Sequence, residues 1–326
     1  MRVASLFLTD NCSLQTGQEL SIDSKPIAFL QKPLLEGCSF RNLAAGHDDQ
    51  HAVWTLAFFN SARWEQTVCV VIQNLDPSAL PTDKDQAKQI TNRAFGLVKR
   101  ILGHSAKAPR GVGTACFTQS EEETMPEHAR LAASLLLRGS ATLEDADYAS
   151  LGSHSKILVD GNGFSFFATN RGPGHDNFER LVVAYALSIA YRESMDAAVT
   201  ELAQCDGKVA SMRNLYRAAT SFNARYFFSR PIKQSLVFLP RAWEQFEKLY
   251  KSTGRNDEFL RQLDASRRLL EAEREAEEVE RERKVMRRLT VFGTIIALIS
   301  LVGLLQITPE QASDFFHGWG AAFSSN

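Results

Sequence analysis

The sequence has few cysteines and almost no excess charge of either sign. Its five cysteines, Cys12, Cys38, Cys69, Cys116 and Cys205, lie far apart and include no C-x-x-C pair. An odd, dispersed set supports neither a zinc site nor a disulfide framework, and it fits a reducing compartment. The 37 Lys and Arg residues nearly cancel the 38 Asp and Glu, so no global field favours nucleic acid. Basic residues also gather beside one apolar run instead of among exposed aromatics, which excludes nucleic acid as the expected partner. The opening MRVASLFLTD carries one basic residue and a short apolar run before Asp10. That run is too short for a signal-peptide core and alternates like a first strand, so the N-terminal part is expected in the cytosol.

Catalytic signatures are missing too. There is no G-x-S-x-G elbow, and no spacing of Ser, His and Asp from which to draw a triad. Arg110-Gly111-Val112-Gly113 and Arg171-Gly172-Pro173-Gly174-His175 contain glycines, yet no Walker lysine or full G-x-G-x-x-G accompanies them, and turn chemistry accounts for both. His47 and His51 stand four apart with Asp48 and Asp49 between them, a spacing that holds a metal on a helix. They lie before a strand and lack the Glu of H-E-x-x-H, so a polar surface turn is the simpler reading; they are the metal candidates the sequence offers. His154 and His175 flank a hairpin and form a second pair that folding could join. No residue is singled out as catalytic, and a non-enzymatic role is favoured.

What is present is ordinary globular material, 44% apolar and 23% charged, enough for a real core. VASLFLT, AVWTLAFF and TVCVVIQ read as strands, rich in β-branched and aromatic residues. Thr82 to Leu102 reads as a helix capped by Thr82 or Asp83, and Pro126 to Arg138 as another with Pro in its first turn. KILVDGNGFSFFAT, Lys156 to Thr169, joins two apolar runs through Asp160-Gly161-Asn162-Gly163, a hairpin turn sequence. Residues 1–171 are therefore expected to form an α+β or α/β cytosolic domain. Residues 172–254 turn helical, with helices over Asp176 to Gln204, Lys208 to Phe228 and Ala242 to Tyr250.

Residues 255–288 follow without Pro or Gly, a charged stalk helix with Asn256 or Asp257 as its cap. Phe259, Leu263, Ser266 and Leu270 follow a four-three-four spacing before mixed charge takes over. The charges support a solvated helix through i,i+4 pairs, or a helix bundled with copies of itself through interchain pairs. Residues 289–307 contain no charged side chain. A helix of that length covers roughly 28 Å, close to a bilayer's hydrocarbon core. Arg281, Arg283, Lys284, Arg287 and Arg288 precede it, and no Lys or Arg follows it, which orients the body to the cytoplasm. The expectation is a single-pass C-terminal anchor in an inner or plasma membrane, its basic cluster against lipid headgroups. Gly293, Ala297, Ser300 and Gly303 gather small residues for close helix packing. Residues 308–326 form a short tail or an interfacial helix through Phe315, Phe316, Trp319 and Phe323.

A mixed cytosolic domain, a helical pair and a long helix running unbroken into KVMRRLTVFGTIIALISLVGLL together resemble the CorA-type divalent cation transporters. The resemblance covers the order of elements over nearly the whole chain. The family's Gly-Met-Asn signature has no counterpart, since Leu305-Gln306-Ile307-Thr308-Pro309 stands there, and no second span follows. What the resemblance implies is a homo-oligomer, pentameric in that family, with a divalent cation as the ligand to consider. The chain is expected to couple its cytosolic domain to the membrane as a divergent ion channel, transporter or membrane effector. The alternative is a tail-anchored enzyme or scaffold whose N-terminal domain acts on a soluble partner.

Overall fold

The computed structural model describes residues 1–9, 17–43, 51–103, 108–169, 174–205, 209–235, 237–305 and 313. The chain opens with β1 (Arg2–Thr9), three short strands β2 (Gln18–Glu19), β3 (Ser21–Ile22) and β4 (Lys25–Pro26), and the short helix α1 (Lys32–Glu36). A meander follows in β5 (Ser39–Leu43), β6 (His51–Phe58) and β7 (Gln66–Asn74). Helix α2 (Lys84–Leu102), strand β8 (Arg110–Ser120) and helix α3 (Glu127–Arg138) lead to β9 (Ala149–Gly152), β10 (Ser155–Asp160) and β11 (Gly163–Thr169). Helices α4 (Gly174–Ala203), α5 (Val209–Arg225), α6 (Phe238–Tyr250) and α7 (Ser252–Leu305) complete the described chain.

Nine strands form one mixed sheet in the order β2-β5-β6-β7-β1-β8-β11-β10-β9. Neighbours pair antiparallel except β8 and β11, which run parallel. The pleat sends alternate residues of β1 to opposite faces. Val3 and Phe7 meet helices α2 and α3 in clusters with Ile90, Ala94, Val98 and Ala133. The other face carries aromatics: Phe117 stacks on Phe178 at 5.4 Å, and Phe164 meets Tyr185 edge-on at 5.2 Å. Helix α4 is buried without a break from Leu181 to Tyr191, because it lies on the sheet and is covered by α6. The helices read from sequence as a region of their own are thus a layer on the sheet, and residues Met1–Asp264 form one compact unit.

Local signals explain several elements. Asp83 accepts from the backbone N–H of Asp85 and Gln86, both at 2.9 Å, capping α2 as its sequence position implies. The 160–163 turn closes β10 onto β11 with Asp160 opposite Gly163. The glycines at 111 and 113 differ from the turn reading: they sit inside β8. A side chain at Gly113 would collide with the Tyr185 ring from α4, so glycine is there for close approach of a neighbouring ring.

Helix α7 starts earlier than the Asn256 or Asp257 cap predicts. Lys251 adopts a left-handed φ of 50° at the end of α6, and the Thr253 N–H donates to Glu247 Oε1 at 2.7 Å. Asn256 is buried inside the helix and donates to Asn223 Oδ1 at 2.7 Å. From Ser252 the helix continues unbroken to Leu305, past the point where stalk and apolar run were expected to join. Residues Ala265–Asn326 make up the second compact unit.

The membrane anchor expected over 289–307 is corrected here. Among the described residues no helix is long and apolar enough to cross a membrane. The apolar part of α7, from Leu289 to the helix end at Leu305, falls short of the roughly 20 residues a crossing requires, and Thr290, Thr294 and Ser300 interrupt it. The single-pass placement in an inner or plasma membrane falls with it. So do the membrane roles assigned to Gly293, Ala297, Ser300 and Gly303 and to the basic cluster Arg281, Arg283, Lys284, Arg287 and Arg288, all of which are exposed positions on α7. The 308–326 tail lies outside the described residues apart from Ser313.

Candidate functional site

Titratable groups in the first unit are drawn into pairs. Arg2 at the start of β1 donates from Nη2 to Glu179 Oε1 at 2.9 Å, with Nη1 3.3 Å from His175 Nδ1. Its guanidinium also lies 5.9 Å from the centre of the Phe178 ring. Burial first, and then the Arg2 charge, hold the His175 imidazole below its usual value. This cluster bolts β1 to the first turns of α4, a tie that the lone basic residue of the first strand hardly signals. A cleft of about 490 Å³ beside Trp64 is lined by Glu193, Asp196 and Glu201. Each carboxylate already has a cation: Arg110 and Arg192 on Glu193, Arg255 on Asp196, and Arg63 on Glu201. The cleft therefore holds a neutralised network without an unpaired acid to serve as general base.

The histidine candidates are dispersed. His51 is the first residue of strand β6, opposite Gln73, so the helical geometry a metal pair needs does not arise; His47 lies outside the described residues. The His154 carbonyl accepts from the Thr169 N–H at 3.0 Å, whereas the His175 ring sits edge-on to Phe117 at 5.1 Å. Among the described residues no three His, Cys, Asp or Glu side chains gather as a metal site. Burial pushes the Cys38 thiol up to about 12 and so suppresses its thiolate. On the far side of α6, Ile232, Val237, Pro240 and Trp243 line a groove of about 660 Å³.

The second unit differs in kind. Its described helix is held by its own charges, with Arg267 to Glu271 at 3.2 Å, Arg274 to Glu278 at 3.0 Å and Lys284 to Glu280 at 2.8 Å. Such exposed i,i+4 pairs contribute about 0.3–0.5 kcal/mol each, enough to support a helix but not to hide apolar surface. Past Leu289 the charges stop. Phe292 and Ile299 are each 66% exposed and Ile296 is 61% exposed. Ile295, Leu298 and Leu301 are exposed as well. At a turn of 3.6 residues these positions cover more than half of the circumference, and Thr290, Gly293, Ala297 and Ser300 occupy the remaining side. Thr290 and Thr294 donate their hydroxyls back to the Met286 and Thr290 carbonyls at 2.9 and 2.8 Å, which leaves their methyl groups outward. Gly293 and Gly303 face open space.

Comparison with known proteins adds no relative: no protein-family model, curated protein or solved structure matches the chain.

Proposed function

We propose that this chain is a self-associating scaffold of CorA-like build, in which copies gather through α7 and display the mixed-sheet unit to a soluble partner. One observation carries the reading: the exposed apolar surface that covers more than half of the circumference of α7 beyond Leu289. Covering a Leu, Ile or Phe side chain is worth about 1.5–3 kcal/mol, and a contiguous exposed patch of this kind marks an interaction surface. A single partner helix would cover one side only. Phe292 and Leu301 lie on opposite sides of the helix and both are exposed, so the surface fits a bundle of more than two copies, and five is the count the CorA resemblance implies. The mixed-sheet unit followed by helices and one long C-terminal helix supports that build. Without a crossing helix among the described residues, the reading keeps the assembly and drops ion passage.

The test is light scattering on the full-length chain across a dilution series. The proposal requires a defined oligomer of more than two copies, and the double variant Ile296→Glu with Ile299→Glu should shift it towards monomer with the circular-dichroism spectrum of the body unchanged. A wild-type chain that is monomeric at every concentration would refute it.

A further inference from the structure

Helix α2 turns Ala87, Ile90, Ala94 and Val98 into the core and its opposite side to solvent. Its 19 residues hold five cations and one carboxylate, Asp85. At 3.6 residues per turn, the solvent side has an order of its own. Lys88 and Lys99 form one edge, Arg93 and Arg100 form the other, and Asn92 and Gly96 lie between them; all but Gly96 are exposed. From Lys88 to Arg100 this trough runs about 18 Å along the helix. Among the described residues none of its four cations has an ion pair or a side-chain hydrogen bond. The helix dipole accounts for Lys99 and Arg100, which stand in the last turn. It does not account for Lys88 and Arg93, nor for the lack of any acid from Gln86 to Leu102.

Gly96 is an independent observation at the same place. A Cβ added there meets no atom within 4 Å, so nothing in its own chain requires a glycine, which weakens a helix interior relative to alanine. Its neighbours one turn away on the helix surface are Asn92, Arg93, Lys99 and Arg100. Over this bare backbone the main chain of an anionic partner can come close enough for its carboxylates to reach the guanidinium and ammonium groups on either edge. We propose that the trough on α2 docks a stretch of acidic residues in a partner protein, laid along the helix over Gly96 with its carboxylates on Arg93, Lys99 and Arg100. This names the chemistry of the soluble partner in the reading above, and it rests on that reading for the display of the unit in several copies.

Length and chemistry select a peptide over other polyanions. Asp85 and the capping Asp83 stand at the N-terminal end of the trough, and their carboxylates repel an anion that runs on past Lys88. A finite acidic segment of roughly a dozen residues fits that span, whereas a nucleic-acid strand continues. The trough also offers no exposed aromatic side chain on which a base could stack, since Phe95 is half-buried against the core. The chain's 37 Lys and Arg against 38 Asp and Glu supply no wider positive field to hold a duplex. Helix α2 exposes no large apolar side chain to enter a lipid headgroup layer either.

Fluorescence anisotropy of the full-length chain with a labelled twelve-residue oligoglutamate tests this. At about 0.1 M salt, where screening acts over about 10 Å, the peptide should bind with a Kd below about 100 μM. It should bind more tightly than a twelve-nucleotide oligothymidylate or phosphatidylserine vesicles. Arg93→Glu with Arg100→Glu should weaken binding by about tenfold or more. Gly96→Leu adds bulk without changing charge and should do the same, with the helical circular-dichroism signal intact. Arg213→Glu with Arg217→Glu, on the exposed face of the acid-free helix α5, is the charge-matched control and should bind as wild type does. No binding at that concentration, an equal loss in the α5 control, unchanged binding by Gly96→Leu, or a preference for the oligonucleotide or the vesicles would each overturn the proposal. Light scattering on the same samples keeps the two readings apart. A monomeric wild-type chain that binds the peptide supports the site and refutes the scaffold, whereas a defined oligomer that ignores the peptide refutes the site alone.

Discussion

Trp64 and Phe259 meet edge to face, with ring centroids 5.9 Å apart and planes at 90°. The contact joins the turn between β6 and β7 to the first turns of α7, and Phe259 is 1% exposed. The base of the long helix is thereby part of the core of the first unit. Phe259→Ala removes a buried ring and leaves a cavity, so it should lower unfolding free energy by about 3 kcal/mol. A urea melt of the variant against wild type measures this, and a change below about 1 kcal/mol would show that the base of α7 packs loosely.

Gly113 sets a second expectation. The Tyr185 ring lies against its bare backbone on the α4 face of the sheet, and the Tyr185 hydroxyl bonds the Tyr250 hydroxyl at 3.0 Å. Gly113→Val must push the ring aside and break that pair, at a cost of about 2 kcal/mol or more. Gly96, where an added Cβ meets no atom within 4 Å, is the matched control: Gly96→Ala in helix α2 should be neutral or stabilising. Thermal melts of the two variants should therefore move apart.

The buried phenols predict an alkaline limit to stability. Burial raises Tyr185 well above its ordinary value of 10.0, raises Tyr250, and pushes Tyr148 up to about 12. A phenol whose folded value exceeds its unfolded value binds its proton more tightly when folded. Its stabilising contribution is then complete below the unfolded value near 10 and is lost as pH climbs from there towards the folded value. Phenolate absorbance should lag behind that of free tyrosine and then appear together with unfolding. Smooth ionisation near pH 10 in a chain that stays folded would contradict the burial of these rings.

Local chemistry is legible wherever one short segment contains its own reason. The Asp83 cap, the 160–163 hairpin turn and the unbroken run of α7 through the stalk all follow from side chains within a few residues of each other. Gly111 and Gly113 were not legible. A glycine pair looks like a turn until Tyr185, far along the chain, is seen against it. Asn256 misleads in the same way: it looks like a cap, but its partner Asn223 lies in another helix. The candidate surface on α7 is readable in part, since its exposed apolar residues are plain in the sequence. Whether the rest of the chain covers them is a matter of contacts.

By itself the sequence determined the helices α2 to α7, the strands β1, β6, β7, β10 and β11 and the scatter of the cysteines, because these depend on periodicity and nearest neighbours. Only the tertiary structure decided that the nine strands form one sheet with helices on both faces, that His51 lies in a strand, and that the exposed His175 sits between Arg2 and Phe117. It also decided that the carboxylates beside Trp64 are neutralised by arginines brought from distant segments. Pairing across a sheet and between helices joins residues a hundred or more positions apart, and no local pattern encodes which of them will meet.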